Sequence, residues 1–240
     1  MLASPGVKMK PTIVLLPGLG ADQRLFQPQQ AAMPDLLIPS WPVPRPQDSL
    51  PAYAARLADA IPNSDCLYLG GSSFGGMVAL ELAALLRPKG VILIGSCTSP
   101  GGIAPWARYM RIVAATLPVA SFHLHRWSLP LVLPKCGQLT AEQRDLFWRM
   151  ASGTPASFLK WGVEAILSWR PTPLNVPVHH IHGSRDRLIP LHLVRPDRIV
   201  PGGGHFLTLT HPHEVTTFLA ETVSRGSEDE RCPVRFPAPG

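Results

Sequence analysis

Short, almost continuously apolar runs recur along this chain, and each is followed by Gly or Pro and then by a longer stretch with helical spacing. The runs cover residues 12–16, 36–39, 66–70, 91–95, 178–182 and 197–200. Strands that helices cover on both faces are apolar at nearly every position, which is typical of parallel sheets. The pattern therefore predicts a mostly parallel sheet of about six strands.

Helical spacing of apolar residues follows the runs at residues 24–33, 51–61, 75–87 and 212–224. Ser49 is the expected N-cap of the second segment, because Pro51 suits an early helical position. Pro88 ends the third segment. Since strands and helices alternate, the predicted fold class is α/β, with helices on both faces of the sheet in three layers.

Residues 100–177 interrupt this alternation, because they contain several helical patterns and no convincing strand. One pattern, at 140–152, opens with a capping box from Thr140 to Gln143. We predict a helical cap at 100–177, inserted over one edge of a core formed by 1–99 and 178–224. Residues 225–240 are polar, then acidic and Pro-rich, which predicts a disordered tail.

The predicted cap holds five of the six tryptophans of the chain, Trp106, Trp127, Trp148, Trp161 and Trp169. For most of them the favoured interpretation is packing of the cap against the sheet. The alternative is that some of them line a ligand pocket. The candidates for a substrate pocket are Trp106, Trp127, Trp161 and Phe206.

The most informative stretch is a Gly-x-Ser-x-Gly pattern centred on Ser73 and flanked by Gly71 and Gly75. This spacing is typical of a tight strand-to-helix turn that strains the central serine and leaves room only for glycine at the flanking positions. Ser72 fits less well, because the bulky Phe74 would flank it. A phosphate-binding turn is the alternative, but Gly-x-x-x-x-Gly-Lys-Ser/Thr is absent. Ser73 is therefore the candidate nucleophile.

A serine hydroxyl needs a base that is itself oriented by a carboxylate. Asp186 follows the strand at 178–182, and His205 follows the strand at 197–200. Loops at the carboxyl ends of parallel strands emerge at one edge of the sheet, so Ser73, Asp186 and His205 are expected to converge there. They form the candidate catalytic triad.

The remaining histidines are interpreted differently. His179, His180 and His182 lie in or beside a buried strand, where packing is favoured over chemistry. A metal site built from them with His211 and His213 lacks carboxylate and Cys ligands at suitable spacing, so no metal is expected.

Acyl transfer also needs backbone N–H donors for the developing oxyanion. The amide of Phe74 directly follows the candidate nucleophile, and that of Leu19 lies in the glycine-rich loop after the first strand. Gly18 and Gly20 allow that loop to approach a substrate closely. The alternative is a plain strand-to-helix turn, and the oxyanion-hole interpretation is favoured.

With these three loops in this order, the chain resembles a serine hydrolase of the α/β-hydrolase superfamily, similar to carboxylesterases with a helical cap. The resemblance implies Ser73 as nucleophile, His205 as base, Asp186 as orienting acid, amides of Leu19 and Phe74 as the oxyanion hole, and no cofactor. Three features depart from the family pattern. Pro17 replaces the usual His, two strands that commonly precede residue 12 are missing, and the segment 183–196 is short for a parallel crossover.

The resemblance implies hydrolysis of a carboxylic ester, with a small to medium acyl group, through an acyl-enzyme on Ser73. Thioester hydrolysis and cleavage of a methyl ester linked to a carrier protein are alternatives within the same family. A ligand-binding receptor on a hydrolase scaffold is an alternative of another class. The expected partner is a small-molecule ester.

Charge adds one further indication. Of 240 residues, 22 are Lys or Arg and 16 are Asp or Glu, for a net charge of +6. The basic residues are scattered singly and without a nucleic-acid motif, so nucleic acid is not expected as a partner. Segment 100–177 alone carries +5, with eight basic and three acidic residues. A solvated helix face is the favoured explanation, and an anionic ester or an acidic carrier protein is the alternative.

Two further patterns concern location. No apolar run approaches the ~18 residues that a membrane span requires, and residues 1–11 lack the apolar region of a signal peptide. The four cysteines show no disulfide or metal spacing. A cytoplasmic protein with reduced thiols is therefore expected.

Overall fold

The structure is a computed structural model that describes residues 10–108 and 137–229. Its centre is a five-stranded sheet in which every neighbouring pair is parallel. In chain order, which is also their order across the sheet, the strands are β1 (Thr12–Leu16), β2 (Leu67–Ser72), β3 (Gly90–Ile94), β4 (Val178–Gly183) and β5 (Arg198–Val200). The predicted α/β class is confirmed.

The run at 36–39 is not a full strand, contrary to prediction. Leu37 makes a single parallel bridge to Val14: its N–H donates to Ile13 O at 3.0 Å, and its carbonyl accepts from Leu15 N at 2.9 Å. The next residue of a parallel ladder to donate would be residue 39. Because Pro39 has no N–H, the pairing stops there.

The helices alternate with the strands largely as predicted, with boundaries that shift by a few residues. In chain order they are α1 (Gln27–Ala32), α2 (Leu50–Leu57), α3 (Phe74–Leu86), α4 (Pro105–Arg108), α5 (Ala141–Gly153), α6 (Ala156–Ser168), α7 (Leu207–Thr210) and α8 (Pro212–Asp229). Single 3-10 turns precede α1, at Gln23–Phe26, and follow α2, at Ala58–Ala60.

Both predicted N-caps are present. Ser49 Oγ accepts from Ala52 N at 3.3 Å, and Thr140 with Gln143 forms a reciprocal capping box at the start of α5. Helix α8 continues to Asp229, so the first residues of the predicted tail, 225–229, are helical. Residues 230–240 lie outside the described part of the chain.

Apolar side chains form one cluster on each face of the sheet, which makes three layers. On β1, Val14 and Leu16 belong to one cluster and Ile13 and Leu15 to the other. Helices α2, α3 and α6 contribute to the first cluster, and α5, α7 and α8 contribute to the second. Residues 141–168 therefore take part in both clusters, through α6 in one and α5 in the other.

Two smaller findings concern location and thiols. Within residues 10–108 and 137–229, no helix combines the length and apolar character needed to cross a bilayer. No disulfide joins Cys66 to Cys97. Cys136 and Cys232 fall outside the described residues.

Candidate active site

Ser73 occupies a one-residue turn between β2 and α3, with φ 52° and ψ −117°. A positive φ is strained for any residue with a side chain and costs about 1–3 kcal/mol. A Cβ added at Gly75 would lie 2.0 Å from Leu16 O, and one added at Gly71 would lie 2.5 Å from the carbonyl carbon of Gly75. The turn therefore excludes any larger side chain at both flanking positions.

The strained backbone is held from the neighbouring strand. Ser73 N donates to Ile94 O at 3.1 Å, and the hydroxyl of Ser96 donates to Ser73 O at 2.7 Å. Ser96 is fully buried. Ser96 was not predictable, because its only signal in the sequence is a small polar residue shortly after an apolar strand.

The structure brings Ser73, His205 and Asp186 into one hydrogen-bonded chain. Ser73 Oγ lies 2.9 Å from His205 Nε2, and His205 Nδ1 lies 2.7 Å from Asp186 Oδ2. Asp186 follows β4 and His205 follows β5, so both reach the site from the carboxyl edge of the sheet. Since a carboxylate only accepts, Nδ1 donates to Asp186, and Nε2 of the neutral ring is left to accept the serine proton.

Asp186 is 4% exposed, and its second oxygen is also occupied. Asp186 Oδ1 accepts from the amides of Leu188 and Ile189, both at 2.9 Å. Burial by itself raises the pKa of this carboxyl, but His205 and the amide donors outweigh that effect and hold the pKa below its usual value. Asp186 is therefore ionised at neutral pH.

The loop after β1 passes directly beside Ser73. A Cβ at Gly18 would lie 3.7 Å from Ser73 Cβ, and Ala21 N donates to Gly18 O at 3.0 Å, which closes a tight turn around Leu19. Phe74 is the first residue of α3, so no helical carbonyl accepts from its N–H. The two predicted oxyanion donors therefore belong to backbone segments on either side of Ser73.

Helix α6 of the insertion supports this loop. A Cβ at Gly162 would lie 2.4 Å from Leu19 Cδ1, and one at Gly20 would lie 3.5 Å from Leu159 Cδ2. Because Gly162 has no side chain, the side chain of Leu19 can pack directly against the backbone of α6. Through Gly162 and Leu159, α6 therefore contacts Leu19 and Gly20 of the loop after β1.

The aromatic residues predicted for a substrate pocket are mostly engaged in packing. Trp161 is 6% exposed, donates from Nε1 to Asp48 O at 2.9 Å, and has its ring 4.4 Å from that of Tyr53. Trp106 Nε1 donates to Arg187 O at 3.2 Å. Phe206 is buried, with its ring 4.7 Å from that of Phe147. Trp127 lies outside the described residues.

A cleft of about 520 Å³ is lined in part by Pro17 and Ala21 of the loop after β1, and the sequence patterns did not predict it. Its walls include Pro17, Trp41, Pro42, Met150 and Phe158. The Trp41 ring lies 5.3 Å from that of Phe74, which connects the cleft wall to the residue after Ser73. The sequence signal that could have indicated the cleft is the Pro-rich stretch 39–46, which contains Trp41, the one tryptophan outside residues 100–177.

The structure does not group the remaining histidines as metal ligands. Among the residues it describes, no three His, Cys, Asp or Glu side chains are close enough together to hold a metal ion. His180 and His182 are buried beside the triad and contact each other. Asp197 directly precedes β5, at the opposite end of that strand from the loop of His205, and its Oδ2 accepts from His180 N at 2.7 Å.

Comparison with curated proteins finds relatives named as thioesterases. The chain is 32% identical over 143 residues to "Palmitoyl-protein thioesterase ABHD10, mitochondrial" of Rattus norvegicus, a match that covers 55% of this chain and 40% of the relative. The protein of the same name from Mus musculus is 33% identical over 135 residues, with the same coverage. The match thus spans about two fifths of the length of these relatives.

Comparison with solved structures finds the same fold. A thermophilic esterase from Thermogutta terrifontis superposes with a TM-score of 0.72 at 17% identity, covering 91% of both chains. The RedJ thioesterase of the prodiginine pathway in Streptomyces coelicolor superposes with a TM-score of 0.61 at 20% identity, covering 96% of both. The sequence model of one family, described as the alpha/beta hydrolase family, matches residues 13–217. With that match over most of its length, the chain belongs to the alpha/beta hydrolase family.

Proposed function

We propose that this chain is a serine hydrolase that cleaves carboxylic esters through an acyl-enzyme on Ser73. The observation that carries the proposal is the chain of hydrogen bonds from Ser73 through His205 to Asp186, at a strained turn that only glycines can flank. A serine, a base and an orienting acid at these distances form the arrangement that activates a hydroxyl nucleophile.

In the first half-reaction, Ser73 Oγ attacks the acyl carbon while His205 Nε2 takes its proton. The electron pair of the C=O bond moves onto oxygen, and the amides of Leu19 and Phe74 donate to the resulting oxyanion. Asp186 accepts from Nδ1 and stabilises the imidazolium. When the tetrahedral intermediate collapses, His205 returns the proton to the leaving alcohol, and the acyl group stays on Ser73.

In the second half-reaction, water replaces the alcohol. His205 takes one proton from the water as its oxygen attacks the acyl-enzyme, and the same two amides hold the second oxyanion. Collapse breaks the bond to Ser73, whose oxygen recovers the proton from His205. The products are the carboxylic acid and the free enzyme, so the cycle consumes one water and needs no cofactor.

The cleft beside the loop after β1, the loop that carries the proposed oxyanion donor Leu19, is the proposed site for the acyl group. Its volume of about 520 Å³ falls within the ~300–1,000 Å³ of typical small-molecule sites. Trp41, Met150 and Phe158 form an apolar part of its wall that suits a small to medium hydrocarbon chain, and Asp22, Gln23 and Arg24 line a polar part.

Thioester hydrolysis is the second candidate, since the curated relatives are named as palmitoyl-protein thioesterases. A thioester differs in its leaving group, so the same residues would act on it, with His205 protonating sulfur. Nitrophenyl acetate, butyrate and octanoate, compared with thioesters of the same three acids, separate the two candidates. Faster turnover of every thioester at equal acyl length would replace the ester proposal with the thioester one.

The Ser73→Ala variant tests the enzyme proposal against a ligand-binding receptor. We expect steady turnover in the parent chain and none in the variant, because Ala has no nucleophile. A stoichiometric burst of nitrophenol from the parent chain without further turnover would instead support the receptor.

A carrier protein is not part of the proposal, because residues 137–177 hold four basic and three acidic side chains, a net charge of only +1. Arg149 pairs with Asp145, and Lys160 lies 3.8 Å from Glu164. Arg111, Arg126 and Lys135 lie outside the described residues. The proposed partner is therefore a small ester, and the cytoplasmic location stays a prediction from sequence.

A further inference from the structure

Two buried histidines lie behind the candidate triad, and the proposed mechanism leaves them unused. His180 and His182 are two residues apart on β4, so their side chains share one face of the sheet. They are 5% and 0% exposed. Their rings meet edge to face, with His180 Nε2 3.1 Å from His182 Nδ1. Two imidazoles in this arrangement form a directed hydrogen bond rather than an apolar contact.

The direction of that bond follows from the other side of the His182 ring. His182 Nε2 lies 2.8 Å from the carbonyl oxygen of Ile189. A carbonyl only accepts, so Nε2 carries the proton, and Nδ1 of the neutral ring accepts from His180 Nε2. Burial lowers the pKa of His182, and burial together with His182 lowers the pKa of His180 to about 4. Both rings are therefore neutral at neutral pH.

Ile189 transmits this arrangement to the candidate acid. Its carbonyl accepts from His182, and its N–H donates to Asp186 Oδ1 at 2.9 Å. His182 Nε2 is 3.6 Å from Asp186 Oδ2, which is too long for a direct hydrogen bond. Among residues 10–108 and 137–229, His205 is thus the hydrogen-bond donor to Asp186 Oδ2. His182, supported by His180, fixes the loop residue Ile189, which orients the Asp186 carboxylate. It does so without a hydrogen bond of its own to Asp186 Oδ2, the oxygen that accepts from His205.

We propose that His182 is a positioning residue of the active site and that His180 fixes its tautomer. His182 anchors Ile189 so that the Ile189 amide orients Asp186, which in turn sets the ring of His205. This inference rests on the proposed function, because the group it positions is the proposed catalytic acid. The titratable groups that face the pair are Asp186 and His205 near His182, and Asp197 near His180.

The test compares His182→Phe, which removes the donor and keeps most of the volume, with His182→Gln, which keeps an N–H near the position of Nε2. His179→Phe is the matched control, since His179 is half-buried on the opposite face of the same strand. For H182F we expect kcat to fall by about 10–100-fold with KM unchanged, the scale of loss when a reacting group is displaced by ~1 Å. H182Q is expected to recover most of kcat, and H179F to keep the kcat of the parent chain.

The split between kcat and KM, together with the recovery in H182Q, provides a readout that loss of packing alone would not change. His180→Leu is expected to lower kcat by less than H182F does, because His182 keeps its bond to Ile189. Equal kcat in H182F and the parent chain would overturn the proposal.

A second measurement separates this inference from the proposed function. The rate at which a fluorophosphonate labels Ser73 reports activation of the serine whether or not an ester turns over. If the parent chain is labelled but hydrolyses no ester, the proposed function fails, and slower labelling of H182F but not H179F still supports the positioning role. Equal labelling rates in all three proteins refute it. Denaturant unfolding of each variant verifies that the compared proteins are folded.

Discussion

Replacing Glu81 is expected to weaken the attachment of the insertion to the core. Glu81 is 2% exposed in the middle of α3, the helix that begins after Ser73. Its carboxylate accepts from Trp169 Nε1 at 2.6 Å, from Thr172 N at 3.0 Å and from Thr172 Oγ1 at 2.6 Å. These bonds connect α3 to the chain that leaves α6 and leads into β4. The Glu81→Ala variant removes the acceptor of all three donors.

The magnitude follows from which donors can find water. Thr172 is exposed, so its N–H and hydroxyl are rehydrated at little cost. Trp169 is 4% exposed, and its indole N–H is left buried without an acceptor, which costs about 1–3 kcal/mol. Loss of packed methylenes and of the bonds to a charged acceptor adds to this. We expect the free energy of unfolding to fall by about 2–4 kcal/mol, or roughly 5–15 °C in Tm for a chain of this size.

Urea unfolding followed by far-UV circular dichroism measures this change. Glu81→Gln is the conservative variant, because an amide oxygen still accepts from Trp169, and it should cost less than E81A. Glu164→Ala is the matched control, since Glu164 is a partly exposed carboxylate 3.8 Å from Lys160 and its loss should cost at most about 0.5 kcal/mol. If E81A unfolds at the same urea concentration as E164A, the buried carboxylate does not stabilise the attachment.

Three further variants test the site itself. The Gly75→Ala variant should lose activity and stability together, because its Cβ would lie 2.0 Å from Leu16 O, and normal kcat with normal unfolding would show that the turn can relax. Asp186→Asn should lower kcat by roughly 10³–10⁴-fold. The pKa of Asp186 is lower in the folded chain than in the unfolded one, so its ionised form contributes stability in full above the unfolded pKa of about 4. That stability is lost as the pH falls through the folded-state pKa. Unfolding at several pH values should therefore show a smaller loss of stability on acidification for D186N than for the parent chain. Trp41→Ala should deepen the cleft and raise kcat/KM for octanoate relative to butyrate by roughly tenfold, and an unchanged ratio would place the acyl chain elsewhere.

Local rules explain why the turn at Ser73 was predictable. Its conformation depends on the absence of side chains at Gly71 and Gly75, which lie two residues before and two residues after Ser73. The meeting of Asp186 and His205 with Ser73 follows from one topological rule, that the carboxyl ends of parallel strands share an edge. No long-range packing detail is needed for either inference.

Features that depend on a single distant partner were not predictable. The strand at 36–39 has a suitable apolar pattern, but whether it pairs depends on which of its N–H groups must face β1, and Pro39 occupies that position. Glu81 and Trp169 are 88 residues apart, and nothing near either residue indicates the other. The cleft at Trp41 forms where two loops and the turn between α5 and α6 meet, and no periodicity describes such a junction.

For histidines on an apolar strand, the sequence predicts burial but not the hydrogen-bond partner. Alternation along β4 correctly places His180 and His182 on one buried face, and burial of a neutral imidazole is equally compatible with packing and with hydrogen bonding. Whether His182 packs or forms a hydrogen bond depends on Ile189. The carbonyl of Ile189 accepts from His182, and the N–H of the same residue donates to Asp186. The loop conformation that places the Ile189 carbonyl beside His182 is therefore the conformation that orients Asp186. A substitution at His182 should change the orientation of Asp186, and a substitution at Asp186 should change the hydrogen bond of His182.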